Sequence, residues 1–312
     1  MKKALILFGK KKWEEEVFTD DSYKYSYELM YETFYKNDIK LYRASYQWFN
    51  DENKIFSHAW SFKNGKWIRC KNIKPDVIFD KLTSEKRCGS IVQKLANIFP
   101  FINPLDFSTL LDNKRFLPFL APFYTKKQIN ILNKKNIEEI ALLKSNRVII
   151  KPATLSRGRD IHILNKKETC EFISKSTIPY SWIVQEFINS KNGIPNIMKG
   201  THDLRVIMID NEISHTYYRQ PPKDSLLANV SLGGSKTIID TRDLPDKIIE
   251  IVNYINNLFS VFENKHYSID LMFDEKENPW IIEFNSAPGM LFKPEDKKIA
   301  IKVYEDLTNI FS

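Results

Sequence analysis

The sequence predicts an α/β protein in two parts: a small N-terminal α/β domain of about a hundred residues, then a longer α+β part built of hairpins and helices. Three observations predict this. Short apolar runs of strand length alternate with helical periodicity up to residue 103. Near residue 104 the character changes, and the strands that follow pair through short turns such as Asp210-Asn211. A length of 312 residues also suffices for two or three domains with ample core.

The first element is the buried strand 2–9 ("KKALILFG"), followed by an aromatic helix over 22–38 and a strand over 39–44. Segment 53–71 reads as a hairpin turning at Asn64-Gly65, a dipeptide suited to a turn whose central residues both need positive φ. A strand at 76–82 follows Pro75, and 90–99 places Ile91, Leu95 and Ile98 on one helical face. Two helical pieces, 105–120 and 126–143, precede the strand 147–152 ("RVIIKP"). The polar loop 153–160 ("ATLSRGRD") leads to a strand at 161–164, a helix from Lys167 and the strand 181–188. After the connector 190–201 come strands 203–210 and 212–219, joined like a hairpin. A helix within 243–262 turns Ile248, Val252, Ile255 and Phe259 inward. Strand 267–274 then passes through a turn at 275–278 into the last strand.

The net charge of +8 and pI near 9.1 come from lysines spread along the whole chain in short clusters. That pattern suits an anionic ligand better than a nucleic-acid stripe, and no nucleic-acid motif is present. Cys70, Cys88 and Cys170 stand far apart without C-x-x-C spacing, which points to a reducing compartment and to no zinc site. The N-terminal apolar run "ALILF" is too short for a signal peptide and is followed by more lysines. No stretch approaches membrane-spanning length, so a cytoplasmic location is expected.

The chemistry gathers in "NPWIIEFNSAPG" (278–289). Residues two apart on a strand share a face, so Glu283 and Asn285 present their oxygens side by side. Folding 267–285 as a hairpin brings Asp270 back to the level of Glu283. Three hard oxygen ligands then converge, a set suited to Mg²⁺ with other positions left for water and phosphate. An amphipathic edge strand wetting its polar side is the plain alternative for the single segment. Cations stand ready to match: Lys151 emerges from a buried strand, and Arg205 and Arg219 sit in or at the end of strands. A cation there costs desolvation unless an anion meets it. Loop 153–160 offers backbone N–H groups, Arg157 and Arg159 to phosphate oxygens. Neither G-x-x-x-x-G-K-[ST] nor G-x-G-x-x-G occurs, so P-loop and dinucleotide fingerprints are absent.

In order, "DNKRF", "IIKPATLSRGRDI", "IVQEFI", "DLRVIMI", "NVSLGGS", "IDLMFD" and "WIIEFNSAPG" resemble the ATP-grasp superfamily. Within it, the chain most resembles the glutathione-synthetase-like and ribosomal-protein glutamate ligase branch. The resemblance covers about 104–312 and implies a two-lobed ATP-grasp fold, with lobes at 104–189 and 190–312, after a Rossmann-like pre-ATP-grasp domain at 1–103. It implies an ADP-forming ligase that joins a carboxylate to an amine of an amino acid, peptide or protein tail. It also implies the cofactors ATP and Mg²⁺, with Mn²⁺ as an alternative ion. By the same resemblance, Lys114 and Lys151 contact phosphates, helped by Ser156, Arg157 and Gly158 of the loop. Gln185, Glu186 and the backbone of Phe187 and Ile188 receive adenine, and Asp203 the ribose. Arg205, Arg219 and Asn229 serve the transferring phosphoryl group and acyl phosphate, and Asp270, Glu283 and Asn285 hold the metal. Two departures stand out. Arginines replace glycines in the loop, which implies a more anionic or bulkier substrate. Leu227 and Ala228 stand where glutamate ligases carry a basic and a small polar residue, which argues against glutamate.

Two rival readings remain at this level: an ATP-grasp kinase acting on a hydroxyl, and an ATP-binding module without turnover. The five histidines form no triad and no H-E-x-x-H. No nucleic acid or membrane partner is expected, and a homo-oligomer is left open.

Overall fold

The computed structural model describes the chain except residues 10–16, 19, 134, 156–157, 177–181, 224, 227, 229–232 and 312. The N-terminal strands are β1 (Lys2–Phe8), β2 (Ile39–Ser45), β3 (Phe49–Asn50), β4 (Ile55–Lys63), β5 (Lys66–Ile73), β6 (Val77–Asp80) and β7 (Phe101–Ile102). They form one sheet ordered β3-β4-β2-β1-β6-β7, with β5 on β4. Its centre, β2-β1-β6-β7, is parallel, and the hairpin β4-β5 is added antiparallel. Helices α1 (Asp21–Lys36), α2 (Ser84–Arg87) and α3 (Ser90–Ile98) complete this part.

Strand β1 is apolar without alternation because both its faces are covered. Ala4 and Ile6 pack with Tyr27, Met30 and Phe34 of α1, whereas Leu5 and Leu7 pack with Val92 and Leu95 of α3. The face expected for α3 is rotated by one residue. Val92, Leu95 and Phe99 are buried, Ile98 is half-buried, and Ile91 points to solvent. The hairpin turns at Asn64 (φ 51°) and Gly65 (φ 73°), as its dipeptide requires.

Next come α4 (Leu105–Asp112) and α5 (Leu117–Leu120), then the antiparallel strands β8 (Gln128–Asn130), β9 (Arg147–Pro152), β10 (His162–Asn165) and β11 (Trp182–Glu186), ordered β10-β9-β11-β8. Helices α6 (Lys135–Glu138) and α7 (Lys166–Lys175) belong to this lobe. Of the helical piece expected over 126–143, Lys135–Leu142 is helical, but Gln128–Asn130 is strand. Ile129 and Ile131 alternate into the core with Val148, Ile150 and Val184, so sheet pairing with β11 overrides the local pattern. Lys151 and Gln185 occupy the opposite, cleft-facing side, because they alternate with those core residues.

The last sheet is antiparallel: β12 (Asp203–Ile209), β13 (Glu212–Gln220), β14 (Ser235–Ile239), β15 (His266–Phe273) and β16 (Pro279–Asn285), ordered β14-β13-β12-β15-β16. One face packs on α8 (Asp246–Leu258) and on α4 through Leu204, Val206, Leu271, Ile281, Ile248 and Phe107. Its other face is polar and builds the candidate site. A bulge at Asp270/Leu271 pairs Asp270 with Glu283 but Leu271 with Ile281. This extra residue turns Ile281 into the core and Glu283 out of it, although both are odd-numbered on one strand.

The C-terminal helix α9 (Lys297–Thr308) crosses back to the N-terminal sheet. Ala300, Val303, Tyr304 and Leu307 join Phe34 and Ile6 in one cluster. No helix among the described residues is long and apolar enough to cross a membrane. Leu307 is fully buried in this joint. Leu307→Ala should therefore cost about 2–5 kcal/mol of stability, read as a lower urea midpoint with unchanged slope.

Candidate functional site

Strand register builds the site. Tyr217, Arg205, Asp270 and Glu283 form one transverse row across β13, β12, β15 and β16. Two residues along, Arg219 stands opposite Asp203, and Ser268 opposite Asn285. All eight share the polar face because their positions differ by two on each strand.

The row is held by buried charge. Arg205 Nε donates to Asp270 Oδ1 at 2.7 Å, and its Nη2 donates to Oδ2. Arg219 donates to both oxygens of Asp203 at 2.6 and 2.8 Å and to Asp270 at 3.1 Å. Asp270 is fully buried and also accepts from Ser268 Oγ at 3.0 Å. Burial raises the Asp203 carboxyl, and the Arg219 guanidinium opposes that rise. Asp203, expected to receive a ribose, is paired with Arg219 and lines the nucleotide cleft.

Glu283 joins the row to the nucleotide side. Asn285 donates to it at 3.2 Å, and Lys114 Nζ lies 3.6 Å away. Burial pushes the Glu283 carboxyl up, but Lys114, Lys151 and Arg205 overcome this and hold it at about 2. Lys151 Nζ donates to the Ile282 carbonyl at 3.0 Å and to Gln185 Oε1 at 3.3 Å. That carbonyl belongs to the extra residue of the bulge, which a regular ladder would have occupied. Burial lowers the Lys151 ammonium to about 8 against the pull of Glu283.

A cleft between the two antiparallel sheets is lined by Lys114, Lys151, Gly158, Gln185, Glu186, Ile188, Asp203 and Glu283 among others. This brings together most residues expected to touch a nucleotide. Among the described residues, Gln185 Nε2 is buried there without a hydrogen-bond partner. The Glu186 carboxylate, however, accepts from the Lys144 backbone N–H at 2.6 Å, and Phe187 turns its ring under Arg147. Glu186 thus lines the cleft with one carboxylate oxygen engaged by Lys144 and its N–H by the Lys127 carbonyl. Ser156, Arg157 and Asn229 lie outside the described residues. Arg159 reaches Glu85 at 3.2 Å.

A second cleft adjoins the first through Lys114, Leu155, Arg219 and Glu283, and runs toward the N-terminal domain along Lys81, Asp112, Lys236 and Asn285. Sequence reasoning passed over Tyr217, Lys81 and Lys236. For Tyr217 and Lys236 a signal existed, since "TYYR" and "SKTII" flank the strands of the row. For Lys81 only the tertiary fold brings it near.

Among the described residues, no group of three His, Cys, Asp or Glu side chains is arranged to hold a metal. The candidate set is two carboxylates and an amide. Asp270 and Glu283 face each other in register, and Asn285 Nδ2 donates to both, at 3.3 and 3.2 Å. Hard oxygens on one face fit Mg²⁺, provided the Asn285 amide turns its oxygen inward.

Asp270 differs from Glu283 in what it holds. Asp270→Asn leaves two buried guanidinium groups short of an anion and should cost about 3–5 kcal/mol. Glu283→Gln, whose partners are an amide and a more distant ammonium, should cost clearly less. Urea unfolding of the two variants side by side checks this; equal loss would contradict it.

Comparison with known proteins agrees with this architecture. Residues 126–309 match the model of the RimK-like ATP-grasp domain. A 107-residue segment is 32% identical to a glutamate–LysW ligase of Sulfolobus acidocaldarius, covering 34% of this chain and 32% of that relative. The match thus spans about a third of that relative's length. The fold matches a D-alanine–D-alanine ligase from Bacillus anthracis complexed with ATP (TM-score 0.63, 12% identity, 99% of this chain and 96% of that one). It also matches an ATP-grasp ligase associated with ribosomally made peptides from Chryseobacterium gregarium, in complex with ADP and a leader and core peptide (TM-score 0.61, 16% identity, 99% and 97%). The two antiparallel sheets with their shared cleft are the two lobes of an ATP-grasp fold, and the chain belongs to the RimK-like ATP-grasp family.

Proposed function

We propose that the protein is an ATP-dependent carboxylate–amine ligase that activates its acid as an acyl phosphate and releases ADP and phosphate. The observation that carries this reading is the row Arg205–Asp270–Glu283, set where the two clefts meet. Adenine would enter the first cleft beside Ile149, Met272 and Ile282, with its phosphates toward Lys114 and Lys151. Asp270, Glu283 and Asn285 would hold Mg²⁺, which supplies charge neutralisation to the phosphates when bound.

The acid would lie in the second cleft with one carboxylate oxygen in line with the γ-phosphorus. That oxygen forms the new P–O bond while the bond to ADP breaks. Arg205 and Arg219, their guanidinium planes fixed by Asp270 and Asp203, face the equatorial oxygens and bear the developing charge. An amine then adds to the acyl carbon, loses a proton and expels phosphate. Such a reaction needs positioning and charge more than a protein nucleophile, which suits a site of lysines, arginines and paired carboxylates. Amino acids and peptides are the amine and acid classes that the named relatives support.

With hydroxylamine, ATP, Mg²⁺ and a stimulating acid, the enzyme should yield a hydroxamate with stoichiometric ADP. Glu283→Gln should lower that rate by about two to three orders of magnitude while the fold survives. A stable phosphate ester on the acceptor, with no hydroxamate from any acid, would mark a kinase instead.

Lys151 sets a pH dependence for ATP binding. Its proton leaves near pH 8 in the free protein, and phosphates favour the charged form, so binding takes up a proton above that pH. ATP affinity should therefore fall as pH rises through about 8. Calorimetry in buffers of different ionisation enthalpy reads the uptake directly, and Lys151→Gln should abolish it.

A further inference from the structure

Two segments, 116–125 and 251–262, hold no charged residue, although 28% of the chain is charged. The fold brings them together. The Tyr254 hydroxyl of α8 donates to the Leu120 carbonyl at 3.2 Å, and the Tyr254 and Tyr124 rings meet edge to face at 5.2 Å. Leu258 stands one helical turn beyond Tyr254 on α8, and Val261 lies just past the helix end. In these two segments Phe119, Phe123 and Val261 are 76%, 78% and 80% exposed, and Phe116 and Leu258 more than a third. At about 200 Å² for a fully open phenylalanine, the five side chains leave on the order of 500 Å² of apolar surface in water.

The backbone that carries these rings is braced. Leu117 and Ala121 are buried, Thr125 Oγ1 donates to the Ala121 carbonyl at 3.0 Å, and the Tyr124 carbonyl accepts from the Ile281 N–H of β16 at 2.7 Å. A partner therefore meets rings on a fixed frame, and binding costs little ordering entropy. The size also fits. A standard interface buries about 800 Å² on each partner, and about 65% of a homodimer interface is apolar. The exposed patch matches that apolar share.

Charge selects the occupant. Each copy carries +8, so two copies repel in most orientations, but an uncharged face escapes this. The flanks of the face differ in sign. Arg115 and the exposed Lys127 flank the first segment, with Lys126 already paired with Asp274. The exposed Glu250 and Glu263 flank the second. A two-fold axis near the Tyr124–Tyr254 contact sets the first segment of one copy against the second segment of the other. Basic flank then meets acidic flank twice, as a self-complementary interface requires.

We propose that this face binds a second copy of the chain in a two-fold symmetric dimer, with Phe119, Phe123, Tyr254, Leu258 and Val261 at its centre. Aromatic side chains with charge confined to the rim are the composition of an interface core. The proposal does not depend on the ligase reading, since the face lies outside both clefts and needs no nucleotide.

The test is sedimentation velocity on the full chain over a range of concentrations. The wild type should reach twice the chain mass, with half-association at or below about 10 µM. Phe119→Ser and Phe123→Ser change side chains that stand in water and should each weaken association at least about tenfold. A second pair of variants keeps both phenylalanines. Glu250→Lys combined with Glu263→Lys makes every flank basic, and Lys127→Glu makes the other flank more acidic. Each should associate less than the wild type, and mixing the two should restore a dimer of one copy of each. A wild type that stays monomeric to about 100 µM overturns the proposal. So does a dimer that both serine variants leave intact, or a mixture of charge variants that assembles no better than either alone. Vesicles of phosphatidylcholine and phosphatidylserine test the rival surface. A monomeric wild type that sediments with them, and no longer does so as Phe119→Ser, would give the face to a membrane and remove the dimer.

Discussion

The buried pairing of Arg205 with Asp270 is the constraint on which the rest of the site depends. Both residues are interior to adjacent strands of one sheet; Asp270 is fully buried, and Arg205 keeps only a narrow exposure to the second cleft. Two such charges are tolerable only in bidentate geometry with their remaining oxygens and N–H groups occupied. Arg219 and Ser268 supply those contacts to Asp270, and Tyr217 to Arg205. The result is a network that fixes the register of β12, β13 and β15 together, since a slip by one residue would send every member into the apolar core.

The bulge in β16 is the second constraint. Without it, Ile281 and Glu283 would share a face, and either the core or the site would lose its residue. With it, the Ile282 carbonyl leaves the ladder and receives Lys151 from the other lobe. A backbone irregularity on one sheet thus anchors a side chain of the other, and the two lobes meet where the nucleotide phosphates would lie. Tyr124 adds a further tie, its carbonyl accepting from the Ile281 N–H at 2.7 Å. Near the same turn, Asp274 accepts from Lys126 and from the Trp280 indole.

The N-terminal domain is joined to this centre by polar contacts as well as by α9. Arg87, almost wholly buried, binds Asp80 at 2.5 Å, Asp112, and the Leu82 carbonyl at 3.0 Å. Asp112 in turn accepts from the Ser286 backbone and hydroxyl, one residue past Asn285. Asn103 bridges the carbonyls of His266 and Ser286 at 2.8 and 2.6 Å. The chain leaving the metal-side strand is therefore held from the first domain, which also reaches loop 153–160 through Ser84 to the Thr154 carbonyl and Glu85 to Arg159.

What the sequence by itself determined is everything that follows from period and local spacing. Alternation placed Glu283 beside Asn285, and the turn at 275–278 returned Asp270 to the level of Glu283. Apolar runs marked β1, β9 and β12, and the one-sided periodicity of α8 named its buried residues correctly. The face of α3 was misread by one residue, because Ile91 and Val92 are equally apolar and only the neighbouring sheet distinguishes them. Strand β8 was missed because three residues carry too little period to outweigh the helical pattern around them. Ion pairing was beyond reach for a different reason. The family resemblance gave Asp203 a ribose role, and Lys81 resembles any surface lysine after a strand. Only the assembled sheets decided that Asp203 pairs with Arg219 and that Lys81 and Lys236 enter the second cleft beside that pair, since charge balance in a cleft depends on which side chains, distant in sequence, share one desolvated volume.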